Sequence, residues 1–578
     1  MRTAGKQRFI TLGFALILLA GAALKVYSSQ LMTWEVDYVP LIARGQAWLQ
    51  GGPFPAVGTL SSVAAFNMPF LVWMQIPALL ISNNVKLVLL GTQLSLNLLT
   101  TCIIFRLGGE MFDRRAGLLA AALFTFSEVG IASAYTAWAQ MQLPGFFAFV
   151  AFLLYRWKRE HWAWTGALTL ILATAAFMTH FSAVLLYAVI ALMIIVLRLP
   201  VNRRAVLVGL LVSAVMLAPY LAYEARVNLV DLKAFFSRRN TISAEVLAEY
   251  DHLKPAPRIQ QTAVPASVDE GSTEETETRL ERGITRLLET PLQVIAGLRQ
   301  VFNTDLGNLR GHQPLLHALF TLLRFLLEAC FWLGIVHALY QFLQATRSQR
   351  AASTANQRSL ITALRLRQNS LLGSPAGRNL FLLLFTLLFI VGLVLARADP
   401  DGQQSYYYAL IGLQFLICAY GIHTLAARRK LQALAAALIL LYAALGACDT
   451  VIRVANHDRA RHSGQNLSLY SNMDDAAGWI ASDWSDGKAI TVSYDLLPEM
   501  SQHWWVLPWS TVDESYRLGM AFDFLLASYY ELENSNLSPL GLAEDPDYVF
   551  TSPPGLQRYD LERFQVRRFG AIHLLKPG

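Results

Sequence analysis

Charge is scarce in this chain. Asp, Glu, Lys and Arg make up only 15% of its 578 residues, against about 25% in ordinary soluble proteins. With 54% hydrophobic residues, that shortage excludes a soluble globular class. Cysteine is almost missing. Cys102, Cys330, Cys418 and Cys448 lie in or at the edges of apolar segments, without metal-ligand spacing and without the pattern of a disulfide framework. No glycine-rich nucleotide loop and no His, Cys, Asp or Glu cluster of metal-binding spacing is present. No cofactor is therefore assigned, and a divalent metal stays open without a cluster to support it. The net charge of +7 would suggest nucleic acid in a soluble protein. Here the basic residues stand in short loops between apolar runs, so no nucleic-acid partner is read.

What the chain has in abundance is long apolar runs. Only a helix satisfies its own backbone in hydrocarbon, so a run of about 18 or more apolar residues reads as a membrane span. Spans are expected near 9–27, 85–107, 116–135, 141–157, 162–179, 181–198, 204–222, 314–342, 379–396, 406–425 and 431–451, about eleven in all. The first competes with a cleaved signal peptide, but the later charge pattern needs it as an anchor. Alternate loops carry Arg114 and Arg115, then Arg156, Lys158 and Arg159, then Arg203 and Arg204, then six arginines between Arg347 and Arg378, then Arg428, Arg429 and Lys430. All fall on the side of Arg2, Lys6 and Arg8. The positive-inside rule places the N-terminus in the cytoplasm, and an odd number of spans places the C-terminus outside.

The expected fold is a polytopic α-helical membrane protein, with a membrane domain over 1–451 and a small extracytoplasmic α/β domain over 452–578. Two external segments interrupt the membrane domain. One, 28–84, is a first loop with amphipathic helices. The other, 223–313, is rich in Pro, Thr and Glu over its middle and reads as flexible. In the C-terminal region, Met473 to Trp484 and Ser515 to Tyr530 read as helices. Ala489 to Tyr494, Asp547 to Thr551 and Phe564 to Leu575 read as strands.

Charge pattern then sorts the candidate chemistry, because several polar features fall at the same outer face. Glu35 and Asp37 follow the first span and Lys25 ends it. His180 occupies the turn between the fifth and sixth spans. Arg397 follows the ninth, and Tyr406 to Tyr408 open the tenth. A carboxylate base beside cationic groups suits transfer from a membrane-anchored phosphate donor, the base taking a proton from a hydroxyl and the cations stabilising charge on the departing phosphate. Each residue also has a plainer reading. His180 can cap a helix, Arg397 can snorkel to headgroups, and the tyrosines fit an interfacial aromatic belt. Trp34, Trp48 and Trp73 read as interfacial anchors. Arg324 and Glu328 are four apart and read as a pair, whereas Glu128 has no partner nearby in sequence.

Residues 30–80 carry a resemblance. Asp37, Ala43, Leu49, Gly52, Pro53 and Pro55, closed by Asn67-Met68-Pro69, resemble the first external loop of GT-C glycosyltransferases, most of all the protein O-mannosyltransferase, ArnT and RgtA/B/C/D-like group. The turn Met178 to Ser182 and the Arg397 to Tyr406 stretch are similar to later external loops of that group. The resemblance covers about residues 9–451. It implies an inverting transferase of a bacterial plasma membrane, moving a sugar from a polyprenyl-phosphate donor to a hydroxyl of a glycan, lipid or protein. It implies Asp37 as base with Glu35 in support, and Lys25, His180 and Arg397 at the donor phosphate. Tyr38, Tyr406, Tyr407 and Glu128 would line the substrate. Tyr38 stands where the group has Glu. Two readings compete: a transporter or flippase of lipid-linked saccharides, which the scarcity of intramembrane charge disfavours, and an inactive scaffold.

Overall fold

A computed structural model describes residues 2–34, 38–59, 66–160, 162, 164–229, 233, 293–299, 314–353, 375–395, 407–427, 431–460, 470–484, 490–495, 522, 525–526, 546–551, 559–569 and 572–577. Fifteen helices are followed below: α1 Arg2–Ser28, α2 Val39–Leu49, α3 Phe70–Leu79, α4 Val85–Met111, α5 Arg114–Thr125, α6 Glu128–Ala132, α7 Ala139–Glu160, α8 Thr165–Thr179, α9 Leu185–Leu197, α10 Arg203–Arg226, α11 Pro314–Ser353, α12 Pro375–Leu395, α13 Ile411–Ala426, α14 Gln432–Ala460 and α15 Tyr470–Asp483.

Six stretches among the described residues are long and apolar enough to cross a membrane: Gln7–Leu31, Val85–Met111, Arg203–Arg226, Pro314–Gln341, Tyr408–Ala426 and Gln432–Ala455. The chain is an integral membrane protein. The other five expected spans are shorter, interrupted or more polar. Helix α8 has 15 residues, roughly 22 Å at 1.5 Å per residue, short of the roughly 30 Å hydrocarbon core. The expected span 116–135 is two helices, broken at Phe126 and Ser127. Ser127 is extended, with φ −71° and ψ 151°. Its hydroxyl accepts from the Gly130 amide at 2.9 Å and donates to the Phe124 carbonyl at 2.8 Å. One side chain thus ends α5 and caps α6, a competition with the helix ladder at which Ser excels.

The chain divides into two compact units. Met1–Ser28, Gln93–Met216 and Thr276–Ile452 form one; Ser29–Thr92, Leu217–Glu275 and Arg453–Gly578 form the other. The core of the first includes α13, most of whose residues are buried, packed on α5 and α11. A methyl at Gly421 would come within 1.9 Å of the Cys330 carbonyl oxygen, and one at Gly334 within 2.6 Å of the Ile417 carbonyl oxygen. The two glycines face one another and let the helix backbones touch, the usual way that apolar helices gain contact where lipid offers no hydrophobic drive. Phe147, Phe385 and Phe389 pack nearby, with Phe147 edge-on to both partners. Glu328 pairs with Arg299 rather than with Arg324. It also accepts from the Trp332 indole at 3.3 Å. The i,i+4 reading failed because a guanidinium distant in sequence reaches the same carboxylate.

In the second unit α2 and α3 pack on each other, and Trp48, Phe54 and Trp73 form a linked aromatic group. Trp73 donates to the Pro55 carbonyl at 3.0 Å. Trp34 is fully buried, with its ring 6.3 Å from that of Tyr38, so it is a core residue and not an interfacial anchor. The C-terminal region contains α15 and a four-stranded sheet of order β1-β2-β4-β3, with β1 Val492–Asp495, β2 Tyr548–Thr551, β3 Phe564–Phe569 and β4 Ile572–Pro577. β1 and β2 are parallel; β4 runs antiparallel to β2 and to β3. The single strand expected over Phe564 to Leu575 is instead two, with Phe569 paired to Ile572. Gly570 stands between them in sequence and breaks strand propensity. Of the helix expected over Ser515 to Tyr530, only positions 522, 525 and 526 are described, and they are helical.

Candidate functional site

Lys25 stands in the last turn of α1, where cations are favoured by the helix dipole and where an exposed lysine would reach for water. It is instead fully buried. Side chains on a helix lean back toward its N-terminus, which carries the amine over Gly21, one turn earlier. A methyl at Gly21 would lie 3.6 Å from Lys25 Nζ and 2.2 Å from Thr125 Cγ2, so the missing side chain makes room for α5 to approach α1. Lys25 Nζ donates to the Thr125 carbonyl at 3.3 Å. That carbonyl belongs to the last residue of α5 and lies among those a helix end leaves without a partner. The break at Ser127 therefore creates the acceptor that the amine finds.

An ammonium offers three donors, and this is the single hydrogen bond Lys25 makes through its amine among the described residues, with no ion pair to accompany it. From Thr125 a polar track continues across the bundle. The hydroxyls of Thr125 and Thr101 are 3.3 Å apart, and Thr101 donates to the Asn97 carbonyl at 3.1 Å. Asn97 donates from Nδ2 to the Gly130 carbonyl at 2.7 Å and to Ser133 Oγ. Chemically, a buried amine with spare donors and no carboxylate partner among the described residues is suited to an anion.

His180 ends α8 and caps the short turn Phe181–Val184. A backbone amide can only donate, so the Ser182 N–H at 3.2 Å makes Nδ1 an acceptor. The neutral ring then carries its proton on Nε2, 3.0 Å from the Gln140 side-chain nitrogen, so the two bond only with the Gln140 amide turned to present its oxygen. Burial pushes the imidazole down to about 4, so it is neutral near pH 7. The helix-capping reading of this residue describes its contacts.

Three further candidates lie within the described residues. Glu128 opens α6, three residues beyond Thr125. Tyr407 is buried, and a methyl at Gly297 would come within 2.7 Å of its ring. Tyr38 is buried at the N-cap position of α2. Glu35, Asp37, Arg397 and Tyr406 lie outside the described residues. Among the described residues no three His, Cys, Asp or Glu side chains converge as metal ligands.

No protein-family model and no curated protein sequence matches the chain. Among solved structures, the chain is similar to ArnT and to an archaeal oligosaccharyltransferase. ArnT from Cupriavidus metallidurans bound to undecaprenyl phosphate is 12% identical, with a TM-score of 0.44 over 97% of this chain and 97% of that one. The Archaeoglobus fulgidus oligosaccharyltransferase tethered to an acceptor peptide is 14% identical, with a TM-score of 0.43 over 93% of this chain and 69% of that one. The same archaeal enzyme with an inhibitory peptide and a dolichol-phosphate is 12% identical, with a TM-score of 0.40 over the same shares.

Sequence reasoning missed Gln93, Asn97, Thr101 and Thr125. A signal was present for the first three. They recur every fourth residue, on one face of an otherwise apolar helix.

Proposed function

We propose that this protein is a GT-C glycosyltransferase that moves a sugar, with inversion, from a polyprenyl-phosphate donor to a hydroxyl acceptor at the outer membrane face. In this reading the acceptor oxygen attacks the anomeric carbon, the bond from that carbon to the phosphate oxygen breaks, and the polyprenyl phosphate leaves. Asp37 takes the acceptor proton and Glu35 supports it. Lys25 meets the phosphate, where preorganised donors matter most because charge grows there as the bond breaks. Arg397 would add a second cation. His180 could offer only its Nε2 proton, now turned to Gln140. Tyr38, Tyr406, Tyr407 and Glu128 would shape the substrate cavity.

The observation that supports this reading is the fully buried Lys25 amine with one carbonyl partner. Burying a charge costs heavily without compensation, and a lipid phosphate supplies it. The decisive experiment is Asp37→Asn in membranes supplied with lipid-linked sugar. Transfer should be abolished with expression unchanged, and full activity would remove Asp37 from the base role. Movement of lipid-linked sugar across the membrane without a glycosidic product would favour the flippase reading instead.

A further inference from the structure

Gln93 is fully buried on α4, and neither its Oε1 nor its Nε2 has a hydrogen-bond partner among the described residues. One turn along the same face, Asn97 is 4% exposed, and its Oδ1 is likewise unpartnered while its Nδ2 is committed to Gly130 and Ser133. Buried amides are nearly always satisfied, and leaving one unsatisfied costs stability. Leucine at position 93 would be cheaper for a membrane helix. The track from Asn97 through Thr101 and Thr125 ends at Lys25, so the empty amide positions and the spare donors of the amine belong to one continuous polar strip.

We infer that Gln93 and Asn97 form a subsite for the hydroxyl groups of a neutral sugar, beside the phosphate held by Lys25. This rests on the glycosyltransferase reading given above. The chemistry supports a hydroxylated, uncharged ring. A Gln amide both donates and accepts, which matches a pair of hydroxyls that do the same. Apart from Lys25 the strip contains no ionisable group, so it offers nothing to neutralise an acidic sugar. Lone amide atoms are also how a site rejects ligands lacking the matching group, because those ligands leave the amide unpaired.

The test compares binding of bare undecaprenyl phosphate with that of the same lipid carrying a neutral hexose, a neutral pentose or a uronic acid, using purified full-length protein in detergent. In wild type, at least one neutral-sugar lipid should bind about tenfold or more tightly than the bare lipid, and the uronic acid lipid should gain nothing. Gln93→Leu should erase that gain, leave affinity for bare lipid unchanged, and raise the Tm of the empty protein. Gln93→Glu should lose the gain without the rise in Tm. If wild type binds no bare lipid, the glycosyltransferase reading fails at its root, and this inference with it. If bare lipid binds but the sugar adds nothing, or Gln93→Leu keeps the full gain, the sugar subsite alone is overturned. A rise in Tm with unchanged sugar discrimination likewise overturns it, marking the amides as partners of buried water only.

Discussion

At the scale of single residues, the molecule places polar groups where each costs stability. Lys25 is the clearest case, and Gly21 is what makes it fit. Gly21→Ala forces either α1 away from α5 or Thr125 out of its rotamer, because its methyl would come within 2.2 Å of Thr125 Cγ2. Overpacking of this kind costs about 1–3 kcal/mol. The expected result is a lower Tm in detergent, with lipid-phosphate affinity falling as the Lys25 to Thr125 contact opens. Unchanged stability and affinity would show that the Thr125 side chain turns aside and the helices stay in place. A composition scan reads Gly21 as one more small residue in a span. Its role is legible only once Thr125, a hundred residues later, is known to face it.

At the scale of elements, close backbone crossings and one local helix break set the shape. Gly421→Ala drives a methyl to within 1.9 Å of the Cys330 carbonyl oxygen, and backbone cannot yield as a flexible side chain would. A loss of about 2 kcal/mol or more is expected in denaturant unfolding. In the C-terminal region, Asp483 at the end of α15 accepts from Tyr548 at 2.6 Å and from Lys576 at 2.7 Å, clamping the helix to β2 and β4. The Lys576 and Tyr548 hydrogen bonds hold the Asp483 carboxyl below its usual range. A depressed carboxyl contributes stability above its unfolded value, near 3.9, and loses it as pH falls through the lower folded value. Protection factors against hydrogen exchange over 470–484 and 546–551 should therefore fall below about pH 4 in wild type. Asp483→Asn should exchange faster at neutral pH and show a weaker acid response. The helix and the strands at 492–495 and 548–551 were legible from alternation and composition. The 564–577 hairpin was not, because only Gly570 and Ala571 separate its two strands in sequence.

At the scale of the whole molecule, hydropathy makes a membrane protein plain, since six helices of sufficient length carry the apolar runs. The count of eleven was less legible. A hydropathy window averages over a break such as that at Ser127, which is decided by a single hydroxyl capping two helix ends. The site divided in the same way. Lys25 could be selected from its place at a span end, but its burial depends on α5 and could not be. The amide strip escaped notice because Gln and Asn carry no charge, and attention to intramembrane ions passes over them.

The bond from Lys25 to Thr125 joins residues one hundred positions apart, and this has a consequence for biogenesis. At about 5–20 residues per second, α1 enters the bilayer about 5–20 s before its acceptor has been synthesised. An unaccompanied lysine is disfavoured within a span, near its end by less than the roughly 3 kcal/mol it costs at the centre, so the nascent helix is expected to ride high, with its amine among the headgroups. It would sink only when α5 arrives. Stalled nascent chains ending near residue 110 should therefore leave Lys25 open to a water-soluble amine reagent, and chains extended past α6 should protect it. Equal protection at both lengths would mean that α1 takes its final depth alone.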